Sequence, residues 1–204
     1  MKPSKPAMLA AAAITLLILT GACSTKPFLI VHYQLPASAE SLAGNAVSLV
    51  ITDVRETKAF LSESAKKSLP EFNETYSLVV LKADGSGNLL GVYEVEALLA
   101  ETFEQRLKNL GLQVSPSANQ GEYELEIKLK QFKLDLAGRN WAVSMSYQAS
   151  LSKNGRLLAM ESVDGSAQRL KVMGTGDAEK LLGELLTDMV NKLDLVKLFQ
   201  QAQR

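Results

Sequence analysis

Glu122-Tyr123-Glu124-Leu125-Glu126-Ile127-Lys128-Leu129-Lys130-Gln131-Phe132-Lys133-Leu134-Asp135-Leu136 is the stretch on which the reading of this chain turns. From Tyr123 to Leu129 every second residue is apolar, and glutamates and lysines fill the positions between. That is the pattern of a strand buried on one face and charged on the other. Past Leu129 the apolar positions move from odd to even, at Phe132, Leu134 and Leu136. A period of two changes phase without inverting the strand only where one residue is extra, so the sequence predicts a β-bulge at Lys130-Gln131.

Toward the C-terminus, Trp141, Val143, Met145, Tyr147, Ala149 and Leu151 alternate with small or polar residues, a second half-buried strand. Lys153-Asn154-Gly155-Arg156 then supplies the two positive φ angles of a two-residue type I′ hairpin. An unbroken hairpin register places Leu151 opposite Leu158, Ala149 opposite Met160 and Tyr147 opposite Ser162, so the returning strand becomes polar away from the turn. The segment from about Ala178 to Gln200 reads as one amphipathic helix with a stripe of Leu182, Leu185, Met189, Leu193 and Val196. Leu181, Leu186, Val190 and Leu198 widen the stripe beyond what one sheet face needs, which makes Leu186 and Val190 candidates for contact with a partner, unless a loop or the other helix covers them. The glycines ahead of it, in Gly174-Thr175-Gly176-Asp177, form a cap with Thr175 or Asp177 as N-cap. Asp177 and Glu179 would repel a phosphate from that helix end.

Toward the N-terminus, a helix from about Tyr93 to Leu110 carries Val95, Leu99, Phe103, Leu107 and Leu110 on one face and is stopped by Gly111. Tyr76–Lys82 is a strand that ends in the turn Asp84-Gly85-Ser86-Gly87-Asn88. A phosphate loop would have to run straight into a helix N-terminus, and this one does not. Lys58–Glu74 reads as a loop with a single helical turn, Val47–Val54 as a buried strand, and Phe28–Tyr33 as a first strand. Helices separated by runs of antiparallel strands define an α+β fold. The expected form is a two-layer sandwich, mostly antiparallel, with two amphipathic helices on one face of one sheet and a polar, solvated outer face.

The first 23 residues carry a separate message. Lys2 and Lys5 precede a run of 13 residues, Ala7 to Leu19, made only of Ala, Met, Leu, Ile and one Thr. A spanning helix needs about 20 such residues, so the run reads as the core of a secretory signal peptide. It ends in Leu19-Thr20-Gly21-Ala22-Cys23-Ser24, which resembles the lipobox of bacterial lipoproteins. Cys23 is the chain's only cysteine, so it has no disulfide partner. The resemblance implies cleavage before Cys23, a diacylglycerol on its sulfur and a further acyl chain on its new amino terminus, an anchor that holds firmly. Ser24 stands where an Asp would resemble an inner-membrane retention signal, so the outer membrane is the expected address.

Removing residues 1–22 of 204 leaves 182, enough for one α+β domain from residue 46 onward after an acylated N-terminal segment, residues 23–45, that holds the first strand and a linker. Both N-terminal lysines leave with the signal, so 20 basic residues face 22 acidic ones and the formal charge is −2. That balance gives no footprint for nucleic acid.

The lipobox, the strand Val47–Val54 entering Asp53-x-Arg55, Lys108-Asn109-Leu110-Gly111-Leu112-Gln113-Val114, the hairpin strands and Leu198-Phe199-Gln200-Gln201 together resemble the YajG-like lipoproteins. The resemblance implies a Gram-negative envelope lipoprotein whose biochemical role is poorly defined. A more distant likeness is to small α+β envelope lipoproteins that help to assemble or transport outer-membrane components. The expected body faces the periplasm, and no cofactor is expected.

Catalytic chemistry has little to build on. The single histidine, His32, falls in the first strand with no nucleophile elbow in the sequence. Zinc sites need several Cys or His ligands, so no metal is expected. Asp53 and Arg55 are the charged pair that leaves a buried strand together, and ordinary salt-bridge chemistry is the default for them. Two function classes follow: a non-enzymatic, membrane-anchored module that binds an envelope protein or the cell wall, and an envelope hydrolase acting on glycan or peptide through converging carboxylates.

Overall fold

The computed structural model describes residues 27–37, 42–115, 122–172 and 174–202. The strands are β1 (Phe28–Gln34), β2 (Ala46–Asp53), β3 (Thr75–Leu81), β4 (Gly87–Tyr93), β5 (Gln113–Ser115), β6 (Tyr123–Ala137), β7 (Asn140–Lys153) and β8 (Arg156–Leu170). The helices are α1 (Glu63–Ser68), α2 (Val95–Asn109), α3 (Gly176–Lys192) and α4 (Leu195–Gln201). The α+β class stands as read, but the strands form two sheets where one was expected. The first has the order β1-β3-β4 and the second β5-β2-β6-β7-β8, each mixing parallel and antiparallel pairs. One hydrophobic core joins them. Tyr76 of the small sheet and Phe132 of the large one meet through Phe60, whose ring centroid lies 5.4 Å from the first and 4.7 Å from the second.

β6 holds the expected bulge. Leu129 pairs with Tyr147 and Gln131 with Ser146, leaving Lys130 extra, and the buried side chains change from Leu125, Ile127 and Leu129 to Phe132 and Leu134 across it. Deleting Lys130 would join two regular stretches of ladder with every inward residue still inward. The shortened chain is expected to unfold cooperatively and to keep its near-UV circular dichroism. Loss of that signal would show that the extra residue is indispensable.

The Asn154-Gly155 turn forms with φ angles of 52° and 74°, but the register beyond it differs from the unbroken one. A second bulge slips β8, so Leu151 faces Ala159, Ala149 faces Glu161 and Tyr147 faces Val163. Met160, expected inside opposite Ala149, is 55% exposed.

The last helix is two helices. The chain breaks at Leu193-Asp194, and the Asp194 carboxylate accepts from Lys197 N–H as the N-cap of α4. The wide apolar stripe is covered from within, because α3 packs against β7 and β8 on one side and β1 on the other. Leu186 and Val190 are each 0% exposed, so these two candidates for partner contact belong to the core.

α3 also seals the open edge of β1. Glu179, Gly183, Thr187 and Asn191 stand four residues apart along it. Ile30 N–H donates to Glu179 Oε1 at 3.0 Å, Gln34 N–H to Thr187 Oγ1 at 3.0 Å, and Asn191 Nδ2 donates to Gln34 O at 3.0 Å. Four helical residues rise about 6 Å and two strand residues about 6.6 Å, so one row of side chains can follow the edge. At Gly183 the helix passes so close that a Cβ would lie 2.8 Å from His32 O.

Candidate functional site

Asp53 closes β2 and Arg55 follows it out of the sheet. There β6 loses its neighbour. Val54 N–H donates to Leu129 O, and the chain rejoins β6 only where Leu134 N–H donates to Phe60 O and Ser62 N–H to Leu134 O. Arg55 fills the interval beside the bulge by donating from Nη1 to Phe132 O at 3.2 Å. Its Nε and Nη2 grip Asp53 Oδ1 and Oδ2 at 2.9 and 2.8 Å, a bidentate pair with side chains only 5% and 6% exposed. Asp53 Oδ1 also accepts from Arg55 N–H and lies 3.1 Å from Lys58 Nζ.

Burial pushes the Asp53 carboxyl up, but the hydrogen bonds from Arg55, with help from Lys58, outweigh it and hold the group at about 2. A carboxylate so fixed neither donates nor accepts a proton near neutrality. The pair is a strut across a gap in the large sheet.

Clefts lie on both sides of Arg55. One, of about 740 Å³, runs along the bulge between Val54–Glu63 and Lys130–Lys133. The other, of about 460 Å³, gathers Lys58, Tyr76, Glu74, Glu94 and Glu96. At the rim of the first, Ser62 and Ser64 donate to Asp135 and lower its carboxyl below the usual range. These contacts tie the start of α1 to β6. Among the described residues no group of three His, Cys, Asp or Glu is placed to hold a metal ion.

His32 is exposed on β1, away from both clefts. Cys23 and the expected signal peptide, residues 1–22, lie outside the described residues. Sequence reading paired Asp53 with Arg55 but missed the Phe132 carbonyl as the third member. No local signal marked that carbonyl, because it is left open where β2 ends beside β6.

No family model matches this sequence, and no curated protein does. Solved structures do. Protein XCC0632 from Xanthomonas campestris, of the family DUF330, aligns over 86% of this chain and 99% of its own with 15% identity and a TM-score of 0.55. It shares the fold. Rare lipoprotein B from Shewanella oneidensis aligns at 9% identity over 76% and 97% with a TM-score of 0.40. A minor lipoprotein from Acinetobacter baumannii aligns at 10% identity over 76% and 95% with a TM-score of 0.39. None of these three names states an enzymatic activity. Among the described residues no helix is long and apolar enough to cross a membrane.

Proposed function

We propose that this chain is a YajG-like lipoprotein, fastened to the outer membrane by acyl chains on Cys23, whose periplasmic body works as a non-enzymatic binding or assembly module. The observation that carries the reading is the 13-residue apolar run ending in Leu19-Thr20-Gly21-Ala22-Cys23, with the folded body starting five residues later at Phe28. A tether of five residues spans at most about 17 Å, so the body stays at the surface that holds the lipid. The hydrolase reading needs an acid free to exchange protons, and Asp53, its first candidate, has both oxygens committed to Arg55.

Replacing Cys23 by Ser in a Gram-negative host is expected to abolish fatty-acid labelling and to move the protein from the membrane to the soluble periplasmic fraction. Mass spectrometry of the unsubstituted protein showing a free thiol at Cys23 would overturn the anchor. Crosslinking in intact cells is expected to trap a recurring envelope partner. Recovery of monomer alone would count against the binding module.

A further inference from the structure

The two sheets differ in what they turn outward. On β6 and β7 the outward positions are occupied by Glu124, Glu126, Lys128, Ser144, Gln148 and Ser150, a polar centre to that face, and its exposed apolar residues, Val50, Leu157 and Met160, lie apart on the flanking strands β2 and β8. On the small sheet they are Ile30 from β1, Val79 and Leu81 from β3, and Leu89 and Val92 from β4, with His32, Gln34 and Ser77 among them. The inward set, including Leu29, Val31, Tyr33, Tyr76 and Leu78, is in the core, so this strip is a second apolar face. Leu89 is 66% exposed and Val92 54%. Exposed Leu89 and Val92 beside half-buried Ile30, Val79 and Leu81 make an apolar patch of the kind that marks a contact surface.

The course of the chain identifies what that contact is. β1 is the edge strand of this face, and Phe28, its first residue, follows Cys23 by five positions, or at most about 17 Å of extended chain. A seven-residue strand is about 23 Å long, so the acylated residue lies within one strand length of the face. Glu179, Lys180 and Glu184 border it on the α3 side, and Lys82 and Asp84 stand at the β3–β4 turn. Mixed signs leave apolar burial as the attraction.

We propose that the outer face of β1, β3 and β4 rests on the bilayer to which Cys23 is joined, with Leu89 and Val92 in the interfacial layer. The inference deepens the anchored reading above and rests on it. Aliphatic side chains lying in that layer gain the burial the fold leaves them without. The charged and hydroxyl-bearing centre of the large sheet, on β6 and β7, remains in water.

The test uses the full acylated protein in vesicles of phosphatidylethanolamine and phosphatidylglycerol that carry nitroxide-labelled lipid. Acylation consumes the only native thiol, so a cysteine introduced at Val92 or, as a control on the large sheet, at Lys133 takes an environment-sensitive dye alone. Val92→Cys is expected to be quenched at least threefold more than Lys133→Cys, and Leu89→Cys, labelled in the same way, provides a second reading of the same face. Equal quenching on protein that floats with the vesicles and has an acylated Cys23 would overturn the docking face and leave the anchor standing. Protein that does not float and has an unmodified Cys23 would overturn both. Dimerisation in vesicle-free detergent with equal shielding of the Val92 label would assign the face to a second copy and overturn the bilayer contact.

Discussion

Gly183→Ala is expected to lower stability by about 2–3 kcal/mol, although in most exposed helix interiors the same change adds up to about 1 kcal/mol. The new methyl would sit 2.8 Å from His32 O and 3.1 Å from His32 N, both backbone atoms of β1. A strand cannot swing aside as a side chain can, so α3 must lift. Lifting it stretches the bonds from Ile30 N–H to Glu179 and from Gln34 N–H to Thr187, each worth roughly 1 kcal/mol net. Gly165 gives the contrast, because a Cβ there meets the Met189 sulfur, the end of a flexible side chain. Urea unfolding measures the effect, and a midpoint at or above that of the unsubstituted chain would refute the close-approach argument.

Arg55→Met is expected to have the larger effect, about 3–5 kcal/mol, because it strips a buried carboxylate of its bidentate partner. It also leaves the Phe132 carbonyl facing the gap in the large sheet without its donor. The pH dependence gives a second readout. Asp53 is held at about 2 against an ordinary 3.8, so its contribution is complete above pH 4 and is lost as pH falls from about 4 to 2. That difference corresponds to about 2 kcal/mol of acid-sensitive stability. In Arg55→Met this part of the acid profile should flatten. A loss below about 1 kcal/mol with an unchanged profile would mean that the pair is not a strut.

The bulge at Lys130 was legible because large side chains on both sides of it carry opposite phases, and a core that excludes water cannot accept either phase reversed. The bulge in β8 was hidden for the opposite reason. Its inward residues include Ala159, Glu161, Gly165 and Ala167, small or polar groups that announce no phase, whereas Leu157 and Met160 are exposed. β4 went unread because Leu89 and Val92 face outward and Gly91 interrupts the run, so its sequence shows no alternation.

The division into two sheets depends on which strands find each other across long stretches of chain, as β1 finds β3, and periodicity within a strand carries no such information. The break at Asp194 was masked by leucines that continue across it, because α3 and α4 bury the same side. At the candidate site, Asp53-x-Arg55 showed itself as a charged pair. The gap that gives the pair its role arises from where β2 stops and Phe60 rejoins, which is a matter of tertiary path.

The seal on β1 has a consequence in time. Strand and cover are separated by about 150 positions, since Ile30 waits for Glu179. A chain emerging from its amino end therefore exposes a hydrogen-bonding rim, rich in Leu, Ile and Val, long before the last segment is available to shield it. Loop closure over such a distance is slow, and unpaired rims invite the wrong neighbours in the interval. A truncation that removes residues beyond Leu170 would leave that rim permanently open.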